Sequence, residues 1–215
     1  MGTKKRAGPR RRRLTAEARR ELIERAATEV FAEHGYHRAS IDEIARRSGV
    51  TPPVVYDHFS SKKDLHKRLL ERHYAELGEI WRRYFPGEDP PEQRLAGAID
   101  AWFAYVQNHP YAWRMLFRET SGEPDVQAAH REVQVRSRAA LLPLVAGETG
   151  SENIAGSGDA AGLEMAWEVF RAVLQGLALW WYENQHIPRD RMVSTAMNAL
   201  WVGFERVRSG ERWEA

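Results

Sequence analysis

The sequence predicts an all-α protein, and three observations carry that reading. No stretch of the 215 residues sustains the alternation of a strand. Apolar residues recur instead at helical spacing from Thr15 onward. Proline and glycine stand where helices begin and end. The expected architecture is about nine helices. The first three form a helix-turn-helix domain over residues 14–66, with the motif at 41–60, and a larger helical domain follows over 67–210.

The first helix starts at Thr15 and closes at Gly35, with Leu22, Ala26 and Val30 beside Ile23, Ala27 and Phe31 as its apolar face. The second has Ser40 as cap, with Glu43 three residues on in the pattern of a capping box, and stops at Gly49. Thr51 is placed to cap the third. Pro52 and Pro53 then occupy its first positions, where helix N–H groups have no internal partner and a proline loses nothing. Ser61 and Asp64 repeat the box pattern at the head of a fourth helix, which runs to about Tyr84. Pro90-Pro91, Pro110 and Pro124 open three more, to about Asn108, Thr120 and Val145. The Gly/Ser-rich residues 147–162 read as a mobile loop, and two long helices at 161–185 and 189–208 complete the fold.

A net charge of +2 conceals an asymmetry. Residues 1–75 carry 18 Lys/Arg against 10 Asp/Glu, a net of +8; the remainder carries 14 against 20, a net of −6. A basic end on an acidic body points to a polyanionic partner at that end. Residues 1–13 hold seven basic residues and no apolar periodicity, as expected of a disordered arm, either a solubilising tail or one that lies along phosphates. Without cysteine there is no disulfide or thiolate chemistry, and a reducing cytoplasm is the default expectation. No secretory signal or myristoylation pattern is read, and the longest apolar run, residues 172–182, is too short to span a bilayer.

Residues 21–65 make the sharpest pattern. Ala45 lets two short helices approach, Gly49 supplies a left-handed turn, and Ile44, Val50 and Val55 fill the wedge between them. With Ala27 and Phe31 ahead of Gly35-Tyr36, Ser40-Ile41, Tyr56, His58-Phe59, Ser61-Lys62 and Leu65, this ordered set resembles the N-terminal domain of the TetR (tetracycline repressor-like) regulators. The resemblance implies a bacterial, cytoplasmic, sequence-specific DNA-binding regulator, a repressor by family default. It would be homodimeric on a palindromic operator of double-stranded DNA and would be released by a small ligand. The resemblance also implies phosphate contacts from Tyr56, His58 and Lys62, a phosphate anchor at Ser40, and contacts from Thr51 to backbone or base edges.

The chain departs from the family at Pro52, Pro53 and Val54, where a polar residue, then Gly or Ala, then Thr or Ser are commoner. Two prolines delete two N–H groups that could hold phosphate. These three side chains offer only apolar contact, which in a major groove means thymine methyls. Asp57 either accepts from cytosine N4 or faces solvent.

The acidic body carries all eight tryptophans. Trp102, Phe103, Val106, Trp113, Phe117, Trp167 and Phe170 either line a cavity for a small apolar or aromatic ligand or form an ordinary core; the resemblance implies the cavity. Leu163 to Tyr182 is apolar nearly all round, and the last helix has a wide apolar stripe. Leu177, Trp181, Met197, Leu200, Trp201 and Phe204 are the expected dimer contacts, in the four-helix arrangement that the resemblance implies; the alternative is that both helices are internal core.

Other functions find little support. No His-Glu-x-x-His or phosphate-binding loop occurs, the glycines at 156, 158 and 162 follow no strand, and Ser60 to Lys63 lacks the partner motifs of a Ser-x-x-Lys enzyme. An enzyme, a metal site and a cofactor are therefore not expected. A sequence-neutral DNA-binding protein using the basic arm would not need a recognition helix of mixed apolar, aromatic and acidic character.

Overall fold

A computed structural model describes residues 14–117, 124–149 and 160–208. Among these residues the chain forms nine helices and no strand: α1 (Ala16–Arg38), α2 (Ile41–Ser48), α3 (Pro52–His58), α4 (Lys62–Tyr84), α5 (Pro91–Asn108), α6 (Pro110–Phe117), α7 (Pro124–Thr149), α8 (Ala160–Glu183) and α9 (Arg189–Arg208). The expected basic arm, and most of the expected loop, lie outside the described residues.

Local chemistry accounts for the boundaries. Thr15 Oγ1 accepts from the Ala18 N–H, which opens α1. Gly35 takes φ 71° and ψ 168°, so the regular helix breaks where the sequence predicts, and a short turn carries the chain to Arg38. Ser40 and Ser61 accept from the N–H groups of Glu43 and Asp64. The returning halves of the two box patterns differ from expectation. Asp64 accepts from the Ser60 N–H, one residue early, and Glu43 turns its carboxylate to Arg47. Helix α7 continues past the expected Val145 to Thr149, because one glycine at 147 costs a helix only about 1 kcal/mol. Residues 147–149 and 160–162, expected in a loop, are therefore helical.

One apolar cluster runs from Ile23 to Leu200, and α4 is its spine. The first half of α4 contributes Leu65, Leu69 and Leu70 beside Ile23, Phe31, Ile44 and Val55; the second contributes Leu77 and Trp81 beside Trp102, Phe170 and Leu174. His66 lies edge-on to Phe31 and Tyr36, with ring centroids 4.8 and 5.1 Å away. Helix α1 also packs directly on α6, so the first three helices rest on the body. The last helix is tied to α5 by Arg189, 2.8 Å from Asp100.

Candidate DNA-binding face and ligand cavity

Helix α3 has two clear sides. Val55 and the adjoining Phe59 are buried completely or nearly so, whereas Tyr56 is 54% exposed. Thr51, Pro53 and Asp57 are also exposed, and Pro52, Val54 and His58 are half-buried. Ser40 is exposed ahead of α2; its oxygen caps Glu43, and the hydroxyl proton remains available to an anion.

Thr51 differs from its expected role as a side-chain cap. It holds the cap position by its backbone, but its hydroxyl makes no capping hydrogen bond. The reason lies in the next two residues. A cap accepts from the second or third helical N–H. Pro53 has none, and the Val54 N–H bonds to the Thr51 carbonyl at 3.0 Å. The prolines thus close the helix start to phosphate and leave the Thr51 hydroxyl facing solvent.

Lys62 departs from the expected phosphate contact. Its Nζ donates to the carbonyls of Tyr36 (2.8 Å), Ala39 (3.2 Å) and His37 (3.4 Å) and sits 4.3 Å from the centre of the Tyr36 ring. An ammonium has three donors, and all three face the end of α1. Arg47 similarly fastens α2 to α1. It lies 2.6 Å from Glu33 and 2.8 Å from Glu43, and its hydrogen bonds hold both carboxyls below their ordinary range.

In the body, side chains of α4, α5, α6, α7 and α8 line a half-open cavity of about 330 Å³. Of the residues singled out in the sequence, Trp102, Phe117, Trp167 and Phe170 line it. Phe103, Val106 and Trp113 do not. They are buried in the core instead, Phe103 edge-on to Trp181 and Trp113 stacked on Tyr182. Sequence reasoning missed Tyr74, Leu77 and Trp81 on α4 and the polar rim of Gln134, Arg138, Arg171 and Gln175. The four-residue steps from Trp81 back to Leu77 and Gly78 to Tyr74 were the available signal. The Tyr74 hydroxyl accepts from Gln134 at 3.0 Å and lies 3.2 Å from His130; burial pushes its pKa up to about 12.

A polar chain crosses from α1 to α5 through α4. Glu24 pairs with Arg72 at 2.6 Å, and Arg72 reaches Glu76 at 3.4 Å. Tyr105 donates to Glu76 at 2.9 Å, which leaves its oxygen to accept from His73 Nδ1–H at 2.7 Å. The same His73 Nδ1–H also faces the Glu76 carboxylate at 3.3 Å, and this shared bond, ahead of the opposing effect of burial, holds Glu76 down to about 2.

The expected dimer contacts divide. Trp181 and Leu200 are each 1% exposed within a single chain, so they are core and cannot meet a second copy. Leu177, Met197 and Trp201 are half-buried, and the Phe204 side chain lies outside the described residues. Among the described side chains, the large apolar ones that do face outward on α8 are Met165, Val169, Leu179 and Trp180, with Val202 on α9. An all-apolar helix hides its outward register, which is why periodicity did not find them. Among the described residues no helix is long and apolar enough to cross a membrane, and no group of three or more His, Asp or Glu is placed to hold a metal ion.

Comparison with known proteins places this geometry. Residues 23–69 match the bacterial regulatory proteins of the tetR family, and residues 91–203 match the tetracyclin repressor-like C-terminal domain. The transcriptional activator FasR of Mycolicibacterium smegmatis is 33% identical over 210 residues, which span 96% of this chain and 93% of FasR. Among solved structures, a TetR-like regulator from Rhodococcus sp. RHA1 superposes with a TM-score of 0.73 at 23% identity, covering 90% of this chain and 99% of that one. The regulator FadR of Bacillus subtilis, solved in complex with stearoyl-CoA, gives 0.67 at 18% identity, covering 89% and 99%. With both halves matched and a relative alike over nearly its whole length, the chain belongs to the TetR family of bacterial transcription regulators.

Proposed function

We propose that the chain acts in the bacterial cytoplasm as a homodimer that binds a palindromic operator and changes its grip when a small, largely apolar ligand fills the body. The observation that carries this is the continuity of α4. Its Leu65 and Leu69 pack beneath the helix-turn-helix, while its Tyr74, Leu77 and Trp81 form a wall of the cavity. A ligand that moves this wall moves the recognition helices, provided that its affinity differs between the two arrangements.

On DNA, Thr51, Pro53, Tyr56 and Asp57 supply the exposed face of α3, and Ser40 and His58 flank it. The proline face favours thymine methyls, and phosphate is held by side chains rather than by the start of α3. In the cavity, Trp102, Phe117, Trp167 and Phe170 suit an alkyl chain or planar ring, and Arg138 and Arg171, paired with Glu164 and Glu168, would hold an anionic group by exchanging those partners. The stearoyl-CoA held by Bacillus subtilis FadR makes long-chain acyl thioesters the first class to test.

Selection from random duplex DNA, at two salt concentrations, tests the DNA reading. The expected result is a palindrome; salt-sensitive binding without a motif would replace it with sequence-neutral binding. Addition of acyl thioesters of graded length to the selected duplex is expected to change its affinity. If none does, and none alters tryptophan fluorescence, this ligand class is wrong. The repressor expectation has one rival, since the 33% identical relative is named an activator. An operator that overlaps the promoter core supports repression, and one upstream of it supports activation.

A further inference from the structure

Helix α8 presents a bulge and a notch on neighbouring turns. Trp180 is 50% exposed, four residues after Gly176. A side chain built at Gly176 would meet nothing within 4 Å. Around this notch Trp113, Gly176, Leu179, Trp180, Tyr182 and Glu183 line a groove of about 390 Å³. Its walls are aromatic and aliphatic, with one carboxylate at the edge. That combination fits an indole, which carries a flat apolar body and a single N–H donor.

We infer that the groove is filled by Trp180 of a second copy of this chain, whose indole lies over Gly176 and donates to Glu183. The inference rests on the homodimer reading and gives it a register. In a two-fold interface, a contact of residue i with residue j is repeated as j with i. With the axis perpendicular to α8, pairing Trp180 with Gly176 places it near residue 178 and runs the two α8 helices antiparallel. Each copy supplies one indole and one notch, so the face is complementary to itself. Met165, Val169, Leu179 and Val202 continue the exposed apolar surface beyond the notch. Ser194, Thr195, Asn198 and Ala199 on the adjacent α9 are exposed and short, which permits close approach. Two neighbouring helices of this length offer a face of roughly 30 by 20 Å, on the order of the 800 Å² per partner that a stable dimer covers.

The cysteine-free chain gives a direct test. Gly176→Cys and Trp180→Cys chains, each with a different affinity tag, are co-expressed and oxidised mildly at about a hundred micromolar. The expected product is a disulfide-linked pair carrying both tags and dissolved by reductant. Sedimentation of Trp180→Ala is expected to show dimerisation at least tenfold weaker with unchanged helix content, since the side chain is half exposed in the single chain. A dimeric wild type that yields no 176–180 disulfide overturns the register and leaves the homodimer standing. A monomeric wild type overturns both.

Discussion

Lys62 shows what a single residue's surroundings add to its motif. Its neighbours in sequence suggest a phosphate contact, yet its ammonium is directed at three carbonyls at the end of α1. Lys62→Met should therefore lower the stability of the protein, by about 1–3 kcal/mol for hydrogen bonds from a charged donor. Thermal unfolding measures that loss. The salt dependence of operator binding should keep its slope, whereas loss of a phosphate contact would reduce the slope by about one. Tyr56 is the opposite case, because its exposed ring holds nothing of the core. Tyr56→Phe should leave the melting temperature unchanged and weaken operator binding about fivefold, the value of one hydrogen bond of about 1 kcal/mol. A fluorescence-anisotropy titration decides it; unchanged affinity would remove Tyr56 from the interface. The cap at Ser40 was legible because a short polar residue beside a helix start has few other uses. The destination of Lys62 was not, since the carbonyls it meets lie more than twenty residues away in sequence.

At the scale of the element, α2 and α3 depend on one backbone device. Gly49 takes φ 71° in the turn between them, and a side chain there would meet nothing. Gly49→Ala should thus cost about 1–2 kcal/mol from the left-handed backbone alone, with no clash added. Chemical denaturation checks that figure, and a cost below 0.5 kcal/mol would mean that the turn relaxes. The polar chain along α4 gives a pH dependence. Glu76 titrates near 2 when folded against an ordinary value of 4.5, chiefly through the hydrogen bond from His73. A depressed folded pKa stabilises above the unfolded value and is lost as pH falls through the folded one. The stability advantage of wild type over Glu76→Gln should therefore be full above about pH 5 and disappear as the pH drops from 4.5 toward 2. Melting temperatures of both proteins across that range measure it; a constant gap would show that the ionised pair contributes nothing.

For the whole molecule, the coupling of cavity to DNA-binding face runs through α4. Tyr74 is the α4 residue whose hydroxyl reaches Gln134 on α7 at the cavity wall. Tyr74→Phe should bind operator as wild type does without ligand, and bind ligand within a few-fold, yet show a weaker effect of one on the other. Paired titrations with and without ligand measure that coupling. An unaltered coupling would move the switch to the α7 and α8 side of the cavity.

The sequence by itself determined the all-helical class, the punctuation of the helices and the family. These depend on local chemistry: capping side chains, prolines at unpaired N–H positions, a glycine at φ 71°, and apolar residues at helical spacing. Tertiary structure decided which aromatic side chains face a cavity and which fill the core. Trp102 and Phe103 are adjacent in sequence, yet one lines the cavity and the other lies against Trp181. It also decided that Trp180, rather than Trp181, faces outward. Adjacent residues on a helix point about 100° apart, and on a helix apolar all round only its neighbours in space distinguish inside from outside.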